Sequence, residues 1–279
     1  MKKKFDTVSD QCSRNVTKLY STSFSMATRL LHKSIRQDVY NIYGFVRFTD
    51  EIVDTFHEYP KEDLLNRFEK ELYTSLKQGI SLNPILNSFQ KTVNKYGIDK
   101  NLIKAFLKSM RWDLEKKNYQ TDSDYKEYIY GSADVVGLMC LTVFTKGNHD
   151  KYSKLEKYAI SLGSAFQKVN FLRDLNLDFE GLNRTYFPGI NVNKFDEKSK
   201  NKIILEIEKD FKLALVGIFE LPDEARFGVY IAYKYYDKLL KKLKKTPSLN
   251  IKKSRIRVPN YQKIGVLAKS YLNYKLNLL

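Results

Sequence analysis

Two short acidic motifs are the part of this sequence best suited to carry out chemistry. Asp50 and Asp54 lie four positions apart, and Asp174 and Asp178 repeat that spacing. On an α-helix of about 3.6 residues per turn, each pair shares one face, with Cβ atoms about 5–6 Å apart. Mg²⁺ takes hard oxygen ligands, usually a few carboxylates together with substrate phosphates. Two helices facing each other through these pairs would therefore suit a diphosphate substrate, with Mg²⁺ as the cofactor and Mn²⁺ as an alternative.

Basic and amide side chains accompany both motifs. Arg47 lies one helical turn before the first pair, and Arg173 directly precedes Asp174, so each guanidinium can neutralise a carboxylate or reach a phosphate. Gln167 and Asn170 extend the stripe of Asp174 towards the start of the same predicted helix. A single acidic pair of this kind usually lies on a solvated helix face, and Arg47 would then be only an ion-pair partner. The second pair favours the metal-site interpretation.

A series of segments resembles, in order, the motifs of the squalene/phytoene synthase family. The segments are Ser-Thr-Ser-Phe at 21–24, Asp-Glu-Ile-Val-Asp at 50–54, Met-Arg-Trp-Asp-Leu at 110–114, Tyr-Ile-Tyr-Gly-Ser-Ala-Asp-Val-Val-Gly at 128–137, the stretch from Gln to Asp at 167–178, Arg-Thr-Tyr-Phe-Pro at 184–188, Tyr-Asp-Lys-Leu-Leu at 236–240 and Arg-Ile-Arg-Val-Pro at 255–259. The matches extend over nearly the whole chain. The sequence departs from the family pattern at Glu51, where Asp is usual, and at Asp134 and Asn183, where Gly is usual. None of these changes removes an expected metal ligand.

The resemblance implies a role for each matching residue. The residues expected to hold the metal are Asp50, Asp54, Asn170, Asp174 and Asp178. The four aspartates and Tyr128 are the expected catalytic residues, Tyr128 because its hydroxyl would lie near the reacting carbons, with Tyr130 as the second candidate. The residues expected to bind the diphosphates or the prenyl chains are Ser21, Ser23, Phe24, Arg47, Gln167, Asn170, Arg173, Arg184, Tyr186, Tyr236 and Arg255. The alternative role of Ser21 or Ser23 is to cap the following helix.

We predict an all-α fold in one domain that spans residues 1–279. Helical periodicity dominates the sequence, which has six prolines and 12 glycines and lacks any sustained alternation of polar and apolar residues. The resemblance implies an isoprenoid synthase helical bundle around a central apolar cavity.

Two segments carry more detailed expectations. Residues 122–144 are predicted as one continuous helix that forms a wall of the cavity. Its small residues, such as Ser132 and Gly137, would either admit a hydrocarbon chain or allow tight helix packing. The helix of the second motif is predicted to end at Asp178, and residues 179–192 are predicted as a loop long enough to act as a lid.

The charge of the chain indicates an anionic partner. Lys and Arg number 49 against 32 Asp and Glu, which gives a formal net charge of +17. The sequence shows no basic and aromatic repeat of an RNA-binding sheet, so we expect diphosphate and anionic lipid rather than nucleic acid. The longest apolar run, Val135–Phe144, is far shorter than the about 20 residues that span a bilayer. We therefore expect peripheral membrane association, through basic residues such as those at 238–245.

Two further features predict the compartment. Residues 1–18 lack the apolar segment of a signal peptide, and Cys12 and Cys140 are the only cysteines. We expect a cytoplasmic protein that attaches peripherally to the inner face of the membrane.

The expected reaction is a head-to-head condensation of two geranylgeranyl diphosphates to phytoene, through a cyclopropyl diphosphate, in carotenoid biosynthesis. Thr28 lies one helical turn after Phe24, and its small side chain would let a long prenyl chain run deep into the pocket. NADPH is not expected as a cofactor. One alternative is a squalene or dehydrosqualene synthase that uses farnesyl diphosphate. The other is a non-catalytic helical assembly or binding protein of the same family, which the presence of all four aspartates disfavours.

Overall fold

A computed structural model of the chain describes residues 1–116, 118–119, 121–182 and 184–275, and it confirms the all-α prediction. The helices are α1 (Lys2–Tyr20), α2 (Thr22–Thr28), α3 (Lys33–Asp54), α4 (Lys61–Gln78), α5 (Pro84–Tyr96), α6 (Lys100–Glu115), α7 (Asp122–Ile129), α8 (Val135–Phe144), α9 (His149–Leu182), α10 (Glu197–Glu220), α11 (Asp223–Lys245), α12 (Ser248–Ile251) and α13 (Asn260–Lys275). A backbone bridge between Asn118 and Thr185 joins the segment after α6 to the segment after α9.

Local signals in the sequence explain several of the helix ends. α4 and α5 end at Gly79 and Gly97, whose φ angles of 73° and 67° lie in the left-handed region that glycine adopts without strain. Asn83 caps α5 by accepting a hydrogen bond from the Ile85 amide at 3.0 Å. These breaks separate the helices that pack against α3.

Large aromatic side chains fix the two helices that carry the acidic motifs. Phe45 of α3 stacks on Phe89 of α5 with ring centroids 4.0 Å apart, and it lies 5.4 Å from the ring of Phe106 in α6. Phe171 of α9 stacks on Tyr186 at 3.9 Å in a second cluster. All five side chains are buried. Because burial of one large apolar side chain stabilises the fold by about 1.5–3 kcal/mol, these contacts hold α3 and α9 firmly in place.

The helix predicted over residues 122–144 is present with these bounds, but its middle is not α-helical. A π-helical turn, Tyr130–Asp134, separates α7 from α8. The backbone of Gly131 presses against α6, since a Cβ atom there would lie 2.8 Å from the Ala105 carbonyl oxygen. The wider turn accommodates this close approach, and π-helical turns are frequent at functional sites.

Taken as one stretch, Asp122–Phe144 is the single segment in the described ranges that is long and apolar enough to cross a membrane, with a mean hydropathy of 1.2 in its most apolar window. However, 61% of that window is buried inside the fold. This apolar character is that of a core helix.

The prediction that the helix of the second motif ends at Asp178 is wrong. α9 continues beyond Asp178 to Leu182, so the following loop is shorter than the predicted 179–192. Asn176 donates a side-chain hydrogen bond to Glu180 at 2.9 Å, a pairing one turn apart that supports the continued helix. The Arg184 amide closes the end by donating to the Asp178 carbonyl at 2.8 Å. Asn183, one of the departures from the family pattern, lies outside the described residues.

Candidate active site

An apolar cavity of about 260 Å³ lies among α2, α3, α8, α9, α10 and α11. Its wall consists almost entirely of hydrocarbon and aromatic side chains, among them Phe24, Tyr43, Leu162 and Phe166. Thr28 also lines the cavity, and its hydroxyl is tied to the Phe24 carbonyl at 2.8 Å. Such a surface suits a hydrocarbon chain.

The small residues of the α7–α8 segment lie at the cavity wall and at a close contact between helices. Ser132, Ala133 and Gly137 line the cavity. At Gly137 a Cβ atom would also lie 3.1 Å from the Ala159 carbonyl oxygen of α9. Small side chains here therefore shape the wall and let α8 and α9 pack closely.

Both acidic motifs begin where the wall of the cavity ends. On α3, Val46 lines the cavity and Asp50 follows one turn later. On α9, Gln167 lines the cavity and Asn170 follows one turn later. The cavity thus has an apolar body and a polar end, as an amphipathic ligand requires.

Arg47 is paired with the first motif. Its guanidinium donates to Asp50 and Glu51, and its Cζ lies 4.5 Å from the ring centroid of Tyr20. The structure therefore shows the ion-pair role that the sequence left open. The Nε atom is buried and has no hydrogen-bond partner among the described residues, so one N–H remains for a further acceptor.

Asp174 receives two guanidinium groups. Nε of Arg173 donates to Oδ1 at 2.9 Å, and Nε of Arg255 lies 2.8 Å from the same oxygen. Arg255 comes from the segment between α12 and α13, so it ties the C-terminal part of the chain to α9. Arg173 and Arg255, two of the four arginines predicted to bind diphosphate, thus lie at the second motif.

Arg184 connects the first motif to α6. Its Nη1 donates to Oδ1 of Asp54 at 2.9 Å and lies 3.3 Å from Oδ1 of Asp113. Its Nη2 donates to the Asp113 carbonyl oxygen at 2.7 Å. The side chain is buried, so its charge acts in a poorly solvated site where electrostatic interactions are strong.

Asp113 is a residue that the sequence motifs contained but to which sequence reasoning assigned no role. The Tyr128 hydroxyl donates to its two carboxylate oxygens at 2.7 and 3.0 Å. Asp113 follows Phe106 and Met110 on the buried face of α6. An acidic residue within an apolar helix face is the signal that could have identified it, because a buried carboxylate needs partners.

Tyr128 and Tyr186 lie in an aromatic cluster behind the polar end. Tyr186 stacks on Phe171, and its ring centroid lies 5.5 Å from that of Tyr128. Tyr119 lies 4.4 Å from Tyr128 on another side. Tyr128 is not one of the described residues that line the cavity, so its hydroxyl faces Asp113 instead.

Predicted residues of α9 and α11 meet at the border between the cavity and its polar end. The Tyr236 hydroxyl donates to Oδ1 of Asn170 at 3.3 Å, and its ring stacks on Phe166 at 3.9 Å. Gln167 donates to the Ser132 hydroxyl at 3.2 Å. These contacts hold the two amide side chains in fixed orientations.

The start of α2 closes over the cavity. Ser21 caps this helix, since its hydroxyl accepts a hydrogen bond from the Phe24 amide at 3.3 Å. The alternative role for Ser21 is therefore realised. Ser23 lies half-buried in the first turn. The Phe24 ring stacks on Tyr43 at 4.6 Å, and both rings line the cavity.

The carboxylates of the two acidic motifs repel one another. Burial and the nearby carboxylate of Asp54 raise the pKa of Asp50 to about 7. Burial, followed by Asp174 and Asp54, raises the pKa of Asp178 to about 7. Asp54, at the end of α3, therefore repels carboxylates on both helices, which places the two motifs within electrostatic reach of each other.

The chemistry of this donor set fits a divalent cation. In the parts of the chain that the structure describes, no three His, Cys, Asp or Glu side chains converge in a metal-binding arrangement. The carboxylates are instead paired with arginines or, at Asp178, raised in pKa by their neighbours. A hard cation would relieve this repulsion once the arginines turned towards a phosphate. The oxygen donors available for it are Asp50, Asp54, Asn170, Asp174 and Asp178.

Asp134, a second departure from the family pattern, joins two elements of the cavity wall, the π-helical turn and α9. It lies buried in the π-helical turn, and its carboxylate accepts hydrogen bonds from the Ser164 hydroxyl at 2.9 and 3.1 Å. A Cβ atom at Gly163 would lie 2.9 Å from Cα of Asp134, so the turn and α9 touch closely. Burial raises the pKa of Asp134 to about 7.

The sequence resembles known proteins over nearly its whole length. A family model described as squalene/phytoene synthase matches residues 17–262. The phytoene synthase of Arthrospira platensis is 27% identical, over 93% of this chain and 91% of its own length. Phytoene synthase 1, chloroplastic, of Arabidopsis thaliana is 28% identical, over 94% of this chain and 65% of its own length. The chain thus spans most of the bacterial relative and just under two thirds of the plant relative.

Solved structures share the fold. A dehydrosqualene synthase in complex with a ligand superposes with a TM-score of 0.82 at 20% identity, covering 97% of this chain and 98% of its own. A squalene synthase from Alicyclobacillus acidocaldarius superposes with a TM-score of 0.73 at 19% identity, covering 84% of this chain and 92% of its own. At these identities the similarity establishes the architecture, and the predicted isoprenoid synthase bundle is confirmed.

Proposed function

The chain belongs to the squalene/phytoene synthase family and is a prenyltransferase, and from this premise we propose that it condenses two geranylgeranyl diphosphates head to head into phytoene. The observation that carries the proposal is the position of two acidic motifs, each with its own arginines, at the polar end of an apolar cavity. The relatives named phytoene synthases support the C20 donor.

The reaction proceeds through two ionisations. First, the C–O bond of one donor breaks and diphosphate leaves. The allylic cation then alkylates the double bond of the second donor, and loss of a proton gives a cyclopropyl diphosphate. Next, the remaining diphosphate leaves, the cation rearranges, and a second proton is lost. Two diphosphates and two protons are released and no electrons enter, so NADPH is not required.

The polar end of the cavity stabilises the leaving groups. Arginines that now pair with aspartates, Arg47 at the first motif and Arg173 and Arg255 at the second, would turn to the diphosphate oxygens, since charge-assisted hydrogen bonds to phosphate are strong. Mg²⁺, or Mn²⁺ in its place, would be held by the aspartates and Asn170 and would neutralise the departing diphosphate. The apolar wall keeps water away from the cations.

Tyr128 acts as a neutral hydroxyl in this scheme. Burial and the Asp113 carboxylate raise its pKa well above the ordinary value, so the phenolate is disfavoured. The Tyr128 hydroxyl donates to the carboxylate of Asp113, and the main-chain carbonyl of Asp113 accepts a hydrogen bond from Arg184. We assign this trio to orienting the Arg184 guanidinium towards the first motif.

The direct test incubates the purified protein with Mg²⁺ and either geranylgeranyl or farnesyl diphosphate, with and without NADPH, followed by mass analysis of the extracted hydrocarbon. Phytoene from the longer donor without NADPH is the expected result. A C30 product from the shorter donor alone would retain the site and the mechanism but overturn the proposed substrate. If the folded protein with Mg²⁺ forms no product from either donor, the non-catalytic alternative replaces the proposal.

A further inference from the structure

Positive charge is concentrated at the C-terminal end of the chain. Residues 238–279 contain 12 Lys and Arg and no Asp or Glu, so this stretch contributes most of the net charge of +17. The remaining residues are close to balanced. The exposed lysines of this stretch include Lys238 and Lys245 at the end of α11, Lys253 after α12 and Lys269 on α13.

α13 lies along α11 in the opposite direction. The start of α13 follows Arg257, whose carbonyl oxygen accepts a hydrogen bond from Lys242 near the end of α11 at 2.6 Å. Near the other end, the ring of Tyr274 lies 4.8 Å from Phe227 in the first turns of α11. The basic end of α11 therefore lies beside the start of α13.

α13 is apolar on its outer side as well as on its inner side. Inward, Val266 and Leu267 pack against a cluster formed by α2, α10 and α11. Outward, Tyr261, Ile264 and Leu272 are 71%, 59% and 60% exposed. These three residues recur at helical spacing and form one stripe. A helix that is apolar on both sides is normally buried, and the part of the chain that the structure describes leaves this stripe uncovered.

We propose that this face, the outer stripe of α13 together with the surrounding lysines and Arg257, docks on the surface of an anionic lipid bilayer. An apolar stripe bordered by basic residues matches the headgroup and acyl boundary of such a membrane in both polarity and charge. A second copy of the chain fits less well, because it would bring two strongly positive faces together. Nucleic acid would match the charge but would leave the stripe unburied.

The proposed docking face and the apolar cavity lie on opposite sides of the same residues. The cluster that α13 covers contains Ala27, Ile218 and Ala232, and these same residues line the cavity on their other side. The bilayer would thus lie behind one wall of the apolar cavity. The inference concerns the surface alone and does not depend on the reaction proposed above.

The experiment floats the full chain on a density gradient with phosphatidylcholine vesicles that contain either no anionic lipid or about 30% phosphatidylglycerol. We expect the protein to rise with the anionic vesicles and to be released by high salt, since surface charge attraction is screened. The variant with both Ile264→Glu and Leu272→Glu is expected to bind at least about tenfold more weakly. Leu82→Glu, at a residue 88% exposed between α4 and α5, is the apolar control and should bind normally.

A charge-matched pair of variants separates a local surface from net charge. Lys253→Gln with Lys269→Gln removes two exposed charges from the proposed face, whereas Lys104→Gln with Lys154→Gln removes two exposed charges elsewhere. Only the first pair should weaken vesicle binding, and circular dichroism should show that all the variants remain helical. Equal weakening by both pairs, or unchanged binding of the double glutamate variant, would overturn the proposal. So would a dimer in the absence of lipid that the glutamate variant dissociates, because the face would then be a protein interface.

Discussion

The Tyr128 hydroxyl donates to both carboxylate oxygens of Asp113, at 2.7 and 3.0 Å, from an aromatic cluster beside the cavity. The Arg184 guanidinium donates to the main-chain carbonyl oxygen of Asp113 at 2.7 Å and to the carboxylate of Asp54 at 2.9 Å. Asp113 therefore links a hydroxyl that the sequence marked as catalytic to the first acidic motif.

Asp113→Asn should lower kcat/KM about 10–100-fold, because residues that orient a site's direct ligands typically have effects of this size. The amide can still accept from Tyr128, and the main-chain carbonyl at position 113 still accepts from Arg184, but the negative charge that pairs with this guanidinium is lost. Asp38→Asn is the matched control: Asp38 is also buried and paired, with Lys95 at 2.8 Å, but it lies near the start of α3. Both variants should lose stability, and steady-state rates measured below both melting temperatures should fall only for Asp113→Asn. Equal rates in the two variants would remove Asp113 from the site.

Asp178→Asn should abolish turnover while it stabilises the ligand-free protein. Burial and the repulsion by Asp174 and Asp54 disfavour the charge at this position, and no ion pair of Asp178 is present among the described residues. Loss of an unfavourable charge worth about 1 kcal/mol would raise Tm by about 2–4 °C in a protein of this size. Thermal melting without Mg²⁺, compared with Asp174→Asn, checks the sign. Asp174 binds two arginines, so its variant should melt lower than the wild type. A lower Tm for both variants would contradict the inferred repulsion.

Asp134 should make the stability depend on pH. Its pKa is raised by burial to about 7, although Ser164 and Lys168 favour the charged form and Asp210 disfavours it. The folded protein therefore binds a proton that the unfolded chain, with an ordinary aspartate pKa, has released. The contribution of Asp134 to the free energy of unfolding is therefore greatest at low pH and is lost as the pH rises towards and through about 7.

The measurement compares Tm of the wild type and Asp134→Asn from about pH 5 to about pH 8. The amide can still accept from Ser164 but does not ionise. The variant should resemble the wild type at the acidic end and become increasingly more stable than it at the alkaline end. Parallel curves over the whole range would show that Asp134 does not titrate there.

Thr28→Phe should shorten the usable cavity. Thr28 is buried against the cavity, and a phenyl ring would occupy space that the end of a long prenyl chain needs. We expect kcat/KM for geranylgeranyl diphosphate to fall at least about tenfold and that for farnesyl diphosphate to change less. Thr28→Ser keeps the hydrogen bond to the Phe24 carbonyl and serves as the control. An equal loss for both donors would indicate general overpacking rather than a change in chain length.

Much of the fold could be predicted from the helical periodicity of the sequence and from the glycines that end helices. Gly79 and Gly97 end α4 and α5, because left-handed backbone favours glycine. The helix of the second motif was predicted to end four residues too early, at Asp178 rather than Leu182. The end of α9 depends on contacts such as that between Asn176 and Glu180, which a pattern of apolar residues does not reveal.

The π-helical turn at Tyr130–Asp134 was not predictable for a related reason. The turn coincides with the approach of Gly131 to the Ala105 carbonyl of α6, a contact between two separate elements of the chain. Local sequence shows that the residues are small, and only the packing shows that the backbone must widen.

The all-α class, the spacing that places Asp50 with Asp54 and Asp174 with Asp178, and the family resemblance follow from the sequence alone, because helical periodicity and residue types are local properties. Which charges meet depends on the packing of the chain. It paired Arg184 with Asp54 and Asp113, Arg255 with Asp174, and the Tyr128 hydroxyl with Asp113 rather than with the cavity. Those partners come from different helices and connecting segments, so the pairing between them depends on how these parts of the chain pack and cannot be read from spacing alone.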